Sequence, residues 1–294
     1  MAISKVGVVG CGLMGHGIAQ ICAQAGLEVV SREVNQECLD RGLGKIEGHL
    51  AKAVEKGKAE QSEADATRGR ITGTLEFSDL VDCDLVIEAI TEDLARKLEM
   101  WREVDGVVSE GTILATNTSS LPVIDQAAAT SSPDRFLGLH FFNPPQVMPL
   151  LEVVQTITTS EETMNVGFEL AEKLGKSAVH AKDKTGFIVN RLLVPFILDA
   201  IRAYEEGAGT IEQIDMALKA GANHPMGPLT LADFVGLDTL DFVASIMFDE
   251  YHERRFASPP TLRRMVAAGF YGRKSGKGFY DYTGERQLPS DLGL

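Results

Sequence analysis

Cysteine is scarce in this sequence, and its spacing does not indicate a metal. The 294 residues include four cysteines, all in the first third of the chain: Cys11, Cys22, Cys38 and Cys83. No two of them have the C-x-x-C spacing of a zinc or redox motif, and no group of histidines accompanies them. We therefore expect reduced thiols, as is typical of an intracellular protein, and no metal site.

The chain also lacks a long apolar run and a basic segment at its start. Residues 3–10 have the pattern of a buried strand, whereas a secretory signal needs a positively charged opening followed by an apolar stretch. No apolar stretch is long enough to cross a bilayer as a helix. These absences predict a cytoplasmic protein without a membrane-spanning segment.

Positive charge is in deficit. Lysine and arginine together number 28 against 42 aspartates and glutamates, which gives a formal net charge of -14. This balance argues against nucleic acid or an anionic membrane as a partner. Hydrophobic residues nevertheless make up 44% of the chain, which is enough for well-packed cores, and the length predicts two domains.

Short apolar strands alternate with helical segments over the first part of the chain. Examples of strands are "KVGVVG" at 5–10, "CDLVIEAI" at 83–90 and "LLEVVQT" at 150–156. Strands that alternate with helices are typical of a mainly parallel α/β sheet. We therefore predict a Rossmann-type α/β domain over residues 1–183.

Two other regions do not follow this alternation of strands and helices. A polar helical stretch at about 35–58 follows the second strand and carries charges on most faces, so we expect it to project from the domain. Residues 184–294 have mostly helical patterns. They predict a smaller, all-helical domain after the α/β domain.

A glycine-rich turn follows the first strand. The sequence "VVGCGLMGHGIA" contains Gly10-x-Gly12-x-x-Gly15 between that strand and a helix. In dinucleotide-binding domains the first glycine forms the tight turn, the second lets the backbone approach a pyrophosphate, and the third allows close helix packing. The helix N-terminus then attracts the phosphates. This context predicts a dinucleotide cofactor.

The acidic residue Glu33 stands where such domains hydrogen-bond the adenosine ribose. Its charge would repel a 2′-phosphate, so it favours NAD over NADP. The neighbouring Arg32 could bind that phosphate, and NADP therefore stays the less favoured alternative.

The segment "GLHFFNPPQVMPLLEVV" (138–154) places His140 in one apolar run and Glu152 in another. A turn with Pro144 and Pro145 joins the two runs, so the two side chains can face each other across neighbouring strands. Histidine suits a general base because its usual pKa is about 6.5. A carboxylate on the far ring nitrogen would fix the tautomer and stabilise the imidazolium. The pair therefore predicts a proton-abstracting site, whereas a lone buried histidine favours a structural role.

Two further polar residues are candidates for substrate contacts. Ser119 follows a predicted strand, at the edge where open α/β sheets bind ligands. We expect it to hydrogen-bond the substrate hydroxyl or the nicotinamide ribose. Asn190 lies early in an apolar helix, where an amide is disfavoured without a partner. It could donate to a substrate oxygen, and the alternative is a partly exposed structural amide.

Several segments in order resemble the L-3-hydroxyacyl-CoA dehydrogenase family, and within it the stand-alone 3-hydroxybutyryl-CoA dehydrogenases. They cover nearly the whole chain: "GVVGCGLMGHGIA", "ATNTSSLPV", "GLHFFNPPQVMPLLEVV", "KDKTGFIVNRLL", "MGPLTLADFVGLD" and "GKGFYDY". The resemblance implies a Rossmann-type NAD-binding domain and a helical domain that forms a homodimer. It also implies NAD-linked oxidation of a (3S)-3-hydroxyacyl-CoA to the 3-oxoacyl-CoA.

The resemblance also implies roles for individual residues. The implied catalytic residues are Ser119, His140, Glu152 and Asn190. The implied cofactor-binding residues are Gly10, Gly12, Leu13, Met14, Gly15, Glu33, Glu92, Lys97, Asn143 and Lys274. For the CoA moiety the implied contacts are Lys56, Ser119 and His49, which stands where relatives often have a serine.

Three alternatives remain at the level of the sequence. One is another NAD-linked hydroxyacid dehydrogenase of the same architecture, of the gulonate dehydrogenase and lambda-crystallin type. Lys56 and the "LHFFNPP" motif speak against it. A nucleotide-binding protein without turnover would be expected to lack one of the catalytic residues. A fragment of a multifunctional β-oxidation protein is disfavoured because 294 residues leave no room for a hydratase domain.

Overall fold

The computed structural model describes residues 3–292. The chain divides into two compact units, residues 1–187 and residues 188–294. The first is built around a large β-sheet and the second is mainly helical, so the predicted fold class is confirmed. Among the described residues, no helix is long and apolar enough to cross a membrane.

The first unit contains eight strands in one sheet. They are β1 (Lys5–Val9), β2 (Glu28–Arg32), β3 (Ile71–Thr74), β4 (Leu85–Glu88), β5 (Ile113–Thr116), β6 (Phe136–Phe141), β7 (Leu150–Gln155) and β8 (Ser177–Lys182). Their order is β3-β2-β1-β4-β5-β6-β7-β8, and every pair is parallel except β6 and β7. The order reverses beside β1, so the ligand crevice expected for such a sheet lies at the carboxyl ends of β1 and β4.

Helices cover both faces of this sheet. They are α1 (Gly15–Gln24), α2 (Gln36–Glu55), α3 (Gln61–Gly69), α4 (Leu94–Asp105), α5 (Val123–Ala127) and α6 (Glu161–Lys173). Alternate residues of a strand enter different cores: Val8 packs with α1 and α6, whereas Val9 packs with α4 and α5. Burial on both faces explains why the strands read as nearly continuous apolar runs.

Helix α2 packs on the first unit along one face. Leu39, Ile46 and Leu50 are buried, and the last two belong to the same core as α1. At Gly42, a Cβ atom would come within 2.4 Å of the carbonyl oxygen of Cys11. The expectation that residues 35–58 project from the domain therefore does not hold for this face. Its narrow apolar stripe is hidden in the sequence by the charges around it.

The second unit consists mainly of five helices. They are α7 (Val189–Glu205), α8 (Ile211–Gly221), α9 (Pro228–Val235), α10 (Leu237–Tyr251) and α11 (Pro260–Ala267). Their core includes Leu198, Ile201 and Leu240. A short antiparallel pair, β9 (Tyr280–Asp281) and β10 (Leu288–Pro289), accompanies the helices. The described part of the unit thus contains helices, their connecting loops and this pair of two-residue strands.

A buried aspartate in α9 anchors the chain that leads into β9. Asp233 is 1% exposed and accepts hydrogen bonds from the backbone N–H groups of Phe279 and Tyr280, both at 2.9 Å. It also accepts one from the hydroxyl of Tyr282 at 3.0 Å. Burial nevertheless outweighs these donors and raises the pKa of Asp233 to about 6.

Candidate active site

The turn after β1 contains three glycines, and at two of these positions the backbone geometry accepts only glycine. Gly10 has a φ of 97°, and a Cβ atom there would lie 2.6 Å from the carbonyl oxygen of Ala89. A Cβ atom at Gly15 would lie 1.7 Å from the carbonyl oxygen of Gly10. These two glycines are therefore required by the fold, because the turn packs tightly on α1 and on the end of β4.

The middle glycine has no such packing reason. A Cβ atom at Gly12 would meet no protein atom within 4 Å. The neighbouring Leu13 is 65% exposed, and Met14 precedes α1 without a side-chain cap. The first turn of α1 also carries no acidic residue. The space at Gly12 and the uncapped helix N-terminus fit a diphosphate, which needs close backbone approach and N–H donors.

Glu33 lies directly after β2, next to the glycine turn. Its carboxylate accepts hydrogen bonds from the backbone N–H groups of Cys11 and Val34, at 2.8 and 2.9 Å. The guanidinium of Arg32 lies 3.8 Å over the ring of Phe77 and donates to a backbone carbonyl. The Glu33 carboxylate is therefore fixed beside the glycine turn, and Arg32 is engaged with Phe77 and a backbone carbonyl.

His140 and Glu152 occupy opposite positions on the antiparallel strands β6 and β7. The Nδ1 atom of His140 lies 2.6 Å from Oε2 of Glu152. Glu152 is fully buried and His140 is 5% exposed. The rings of Phe142 and Phe187 lie against the imidazole. A carboxylate that accepts from Nδ1–H leaves Nε2 as the basic nitrogen, which is the arrangement that general-base catalysis needs.

Ser119 lies beyond the carboxyl end of β5, next to the strand that carries His140. The side chain of Asn117 links the two strand ends, because its Oδ1 accepts from the backbone N–H of Phe141 at 3.0 Å. Because β7 runs antiparallel to β6 and Glu152 is paired with His140, Glu152 lies near the same edge of the sheet. The first unit thus brings Ser119, His140 and Glu152 to one edge of the sheet.

The carboxylate of Glu92 supports the segment around Ser119. It accepts from the hydroxyl of Thr118 and from the backbone N–H of Ser119, the latter at 3.0 Å. Burial alone would raise the pKa of Glu92. The nearby ammonium of Lys97 and these donors outweigh that effect and lower it below its usual value. Glu92 is therefore held as a carboxylate beside Ser119.

Lys97 is more deeply buried than a cofactor-lining lysine is expected to be. It is 1% exposed, and its Nζ lies 2.5 Å from Glu88 and 3.2 Å from Glu92. Glu88, the last residue of β4, is fully buried and also accepts from the hydroxyl of Thr116 at 2.6 Å. Sequence reasoning missed Glu88. The signal available was a glutamate in the apolar run "LVIE", which is costly unless paired.

Helix α2 presents a basic face to solvent. Lys45, His49 and Lys52 on the helix and Lys56 at its C-terminal cap are exposed and follow helical spacing. The ring of His49 lies 5.4 Å from that of His16, whose Nδ1 is 2.6 Å from the carbonyl oxygen of Gly12. This face therefore begins beside the glycine turn and offers positive charge to an anionic ligand.

Asn143, Asn190 and Lys274 complete the set of predicted site residues. Asn143 is exposed in the turn after β6. Asn190 is the second residue of α7, in the second unit. Lys274, in the same unit, forms an ion pair with Asp238 at 2.5 Å.

The fold, the glycine turn and the histidine–glutamate pair are those of a nicotinamide-dependent dehydrogenase. Residues 5–184 match the family described as "3-hydroxyacyl-CoA dehydrogenase, NAD binding domain". Residues 186–282 match "3-hydroxyacyl-CoA dehydrogenase, C-terminal domain". The chain therefore belongs to the 3-hydroxyacyl-CoA dehydrogenase family, and the resemblance seen in the sequence is confirmed.

Known relatives agree with this assignment over nearly the whole chain. A 3-hydroxybutyryl-CoA dehydrogenase of Mycobacterium tuberculosis is 49% identical, with 96% of this chain and 99% of the relative covered. The crystal structure of FadB2 from that organism superposes with a TM-score of 0.94 at 49% identity, covering 96% of this chain and 100% of that one. The (S)-3-hydroxybutyryl-CoA dehydrogenase PaaH1 of Ralstonia eutropha gives 0.93 at 40% identity, with the same coverage.

Proposed function

We propose that this protein catalyses the reversible NAD-linked oxidation of (3S)-3-hydroxyacyl-CoA to 3-oxoacyl-CoA, with 3-hydroxybutyryl-CoA as its short-chain substrate. The observation that carries the proposal is the buried hydrogen bond of 2.6 Å between His140 and Glu152. An alcohol dehydrogenase needs a base of this kind, because the hydroxyl proton must leave as the hydride does.

The two side chains divide the proton chemistry between them. Nε2 of His140 accepts the hydroxyl proton, and the carboxylate of Glu152 stabilises the imidazolium through Nδ1–H. In the reverse direction the same imidazolium returns the proton to the alkoxide oxygen. When bound, the nicotinamide takes up or delivers the hydride. Ser119 is the proposed hydrogen-bond partner of the substrate hydroxyl, and Glu92 holds its backbone in place.

Glu33 and Arg32 support NAD rather than NADP. The carboxylate of Glu33 stands after β2, where it can accept from a ribose diol and would repel a 2′-phosphate. Arg32 is stacked on Phe77 instead of facing that position. We propose the same cofactor-binding role for the space at Gly12, for Asn143 and for Lys274.

The basic face of α2 supports a CoA thioester as substrate. Lys56 and His49 are its proposed contacts with the CoA phosphates, and Lys45 and Lys52 add positive charge to the same face. A small sugar acid such as gulonate needs no such face. Asn190 is proposed to donate a hydrogen bond to the substrate oxygen or the acyl carbonyl.

The second unit carries exposed apolar side chains that fit a homodimer. Leu192, Met216, Phe234 and Phe242 are 70%, 62%, 51% and 45% exposed. Exposed apolar side chains of this size are typical of subunit interfaces. A monomeric mass in analytical ultracentrifugation would contradict this proposal. A cytoplasmic location is proposed because all four cysteines are free thiols.

One assay tests the reaction directly. Loss of the NADH absorbance band is measured with acetoacetyl-CoA and with longer 3-oxoacyl-CoAs, and its gain is measured with gulonate and NAD. We expect turnover with acetoacetyl-CoA and none with gulonate. Turnover of gulonate without turnover of the CoA thioesters would assign the protein to the alternative hydroxyacid dehydrogenases.

A further inference from the structure

Glu88, Lys97 and Glu92 form a charged triad at the carboxyl end of β4. The ammonium of Lys97 lies between the two carboxylates, 2.5 Å from Glu88 and 3.2 Å from Glu92. Glu88 and Lys97 are 0% and 1% exposed, and the side chain of Glu92 is 25% exposed. Two carboxylates and one ammonium leave the triad with one formal negative charge.

The link between β4 and α4 does not need the second carboxylate. Glu88 and Lys97 alone join β4 to α4, and Glu88 is satisfied by the hydroxyl of Thr116 and the backbone N–H of Ile90. A neutral buried pair would make that link at lower cost, because an uncompensated charge is expensive away from water. The hydrogen bonds from Thr118 and Ser119 go to one oxygen of Glu92, and the oxygen of a neutral amide could accept them as well. The negative charge of Glu92 therefore calls for a reason other than these contacts.

The triad lies beside the crevice that the cofactor is proposed to fill. Glu88 ends the strand next to β1, and the following residue, Ala89, packs against Gly10 of the glycine turn. On the other side, Glu92 holds the backbone of Ser119. Oxidised nicotinamide carries one positive charge in its ring, and the reduced form carries none.

We propose that the negative charge of the Glu88–Lys97–Glu92 triad sets the ratio of the affinities for oxidised and reduced cofactor, in favour of the oxidised form. This inference rests on the proposed function. Glu88 acts here through its charge and through Lys97, not by touching the cofactor. Two unit charges about 10 Å apart in a medium of effective dielectric constant about 20 change an affinity about tenfold.

If the oxidised cofactor binds more tightly, the reduction potential of the bound NAD/NADH couple is lowered. Tighter binding of the oxidised form favours hydride transfer from bound NADH to the 3-oxoacyl group. The overall equilibrium in solution is unchanged, so the effect appears in the dissociation constants of the two cofactor forms.

Variants that change the charge of the triad test this inference. Titration calorimetry at pH 7.5 measures the dissociation constants of NAD and NADH without acyl-CoA. In Glu88→Gln the triad is neutral, and the ratio of the NADH constant to the NAD constant should fall about tenfold. In the double variant Glu88→Gln with Lys97→Met the single charge of Glu92 remains, and the ratio should return to within about twofold of wild type.

An unchanged ratio in Glu88→Gln would overturn the inference. An equal shift of the ratio in both variants would also overturn it, because the ratio would then depend on the loss of the Glu88 side chain and not on the net charge of the triad. If Glu88→Gln does not fold, the double variant must still match wild type and Glu92→Gln must lower the ratio. Failure of the proposed function is seen separately, as a wild-type protein that binds neither cofactor form or does not turn over acetoacetyl-CoA.

Discussion

Nδ1 of His140 and Oε2 of Glu152 lie 2.6 Å apart across an antiparallel strand pair, and both side chains are buried. The pairing follows from register: the two residues are direct partners in the β6–β7 ladder. Any shift of that register by one residue would turn one side chain to the other face of the sheet. The two groups are therefore held together by the same backbone pairing that holds the sheet.

Replacement of either partner should reduce turnover while leaving the cofactor site intact. We expect His140→Asn to lower kcat by about 10²- to 10⁴-fold, because the proton acceptor is lost. Glu152→Gln should lower kcat by up to about 10⁴-fold, because the amide no longer stabilises the imidazolium. Steady-state kinetics with acetoacetyl-CoA and calorimetric NADH binding are the measurements. His180→Asn, at an exposed histidine of β8, is the matched control and should keep full activity.

Gly12→Ala should separate cofactor binding from folding. The added methyl group would meet no protein atom, so the unfolding midpoint in urea should stay within the range of surface substitutions. The same methyl group would stand where the diphosphate must approach the backbone, so the dissociation constant of NADH should rise at least tenfold. Gly44→Ala, on the exposed face of α2 and also without close neighbours, should leave NADH binding unchanged and raise the unfolding midpoint, because alanine favours a helix more than glycine does. Equal NADH dissociation constants for the two variants would contradict a diphosphate contact at Gly12.

Glu33→Ala should narrow the preference for NAD. The ratio of kcat/KM for NADH to that for NADPH should fall about tenfold, because the repulsion of the 2′-phosphate and the bonds to the ribose diol are lost together. Glu37→Ala removes a nearby, more exposed charge at the start of α2 and is the control. A ratio that stays at the wild-type value in Glu33→Ala would show that this carboxylate is not on the ribose.

Lys56→Ala should weaken the CoA contact without affecting the chemistry. We expect the KM for acetoacetyl-CoA to rise about threefold to fivefold, which corresponds to about 1 kcal/mol for an exposed ionic contact. The difference from wild type should shrink as salt is added, since exposed charges are screened. Lys58→Ala changes a nearby exposed lysine and should leave the KM unchanged. A fall in kcat with an unaltered KM would argue against a CoA contact.

The sequence was most informative where local patterns determine the structure. The glycine turn, the strands and the opposition of His140 and Glu152 could be predicted, because a short proline-containing turn between two apolar runs leaves few arrangements. Lys97 could be named as a candidate, but its burial could not be foreseen. Its partner Glu88 lies nine positions away in a different element, and only the packing of α4 on the sheet brings the two together.

Helix α2 shows a second limit of the sequence. Its charges suggest a solvated projection, whereas Leu39, Ile46 and Leu50 form a buried stripe, and the last two pack into the core around α1. A stripe of three residues among many charges is a weak periodic signal, since most positions of the helix are exposed in either arrangement. The basic face beside that stripe became interpretable only once the packed face was known.

The raised pKa of Asp233 predicts a pH dependence of stability with a defined sign. Because burial raises its pKa to about 6 in the folded protein, above the usual value of 3.8, the folded state binds more protons than the unfolded state between those values. Its contribution to the free energy of unfolding is therefore fully present below about pH 4 and is lost as the pH rises through about 6.

Asp233→Asn removes this titration and keeps one acceptor oxygen for the backbone of the segment before β9. Urea unfolding at pH 5 and pH 7 measures the effect. Wild type should gain about 1 kcal/mol on going from pH 7 to pH 5 relative to Asp233→Asn, because one pKa unit is worth about 1.4 kcal/mol. Parallel pH profiles for the two proteins would mean that the three donors around Asp233 outweigh its burial and keep the carboxylate ionised at both pH values.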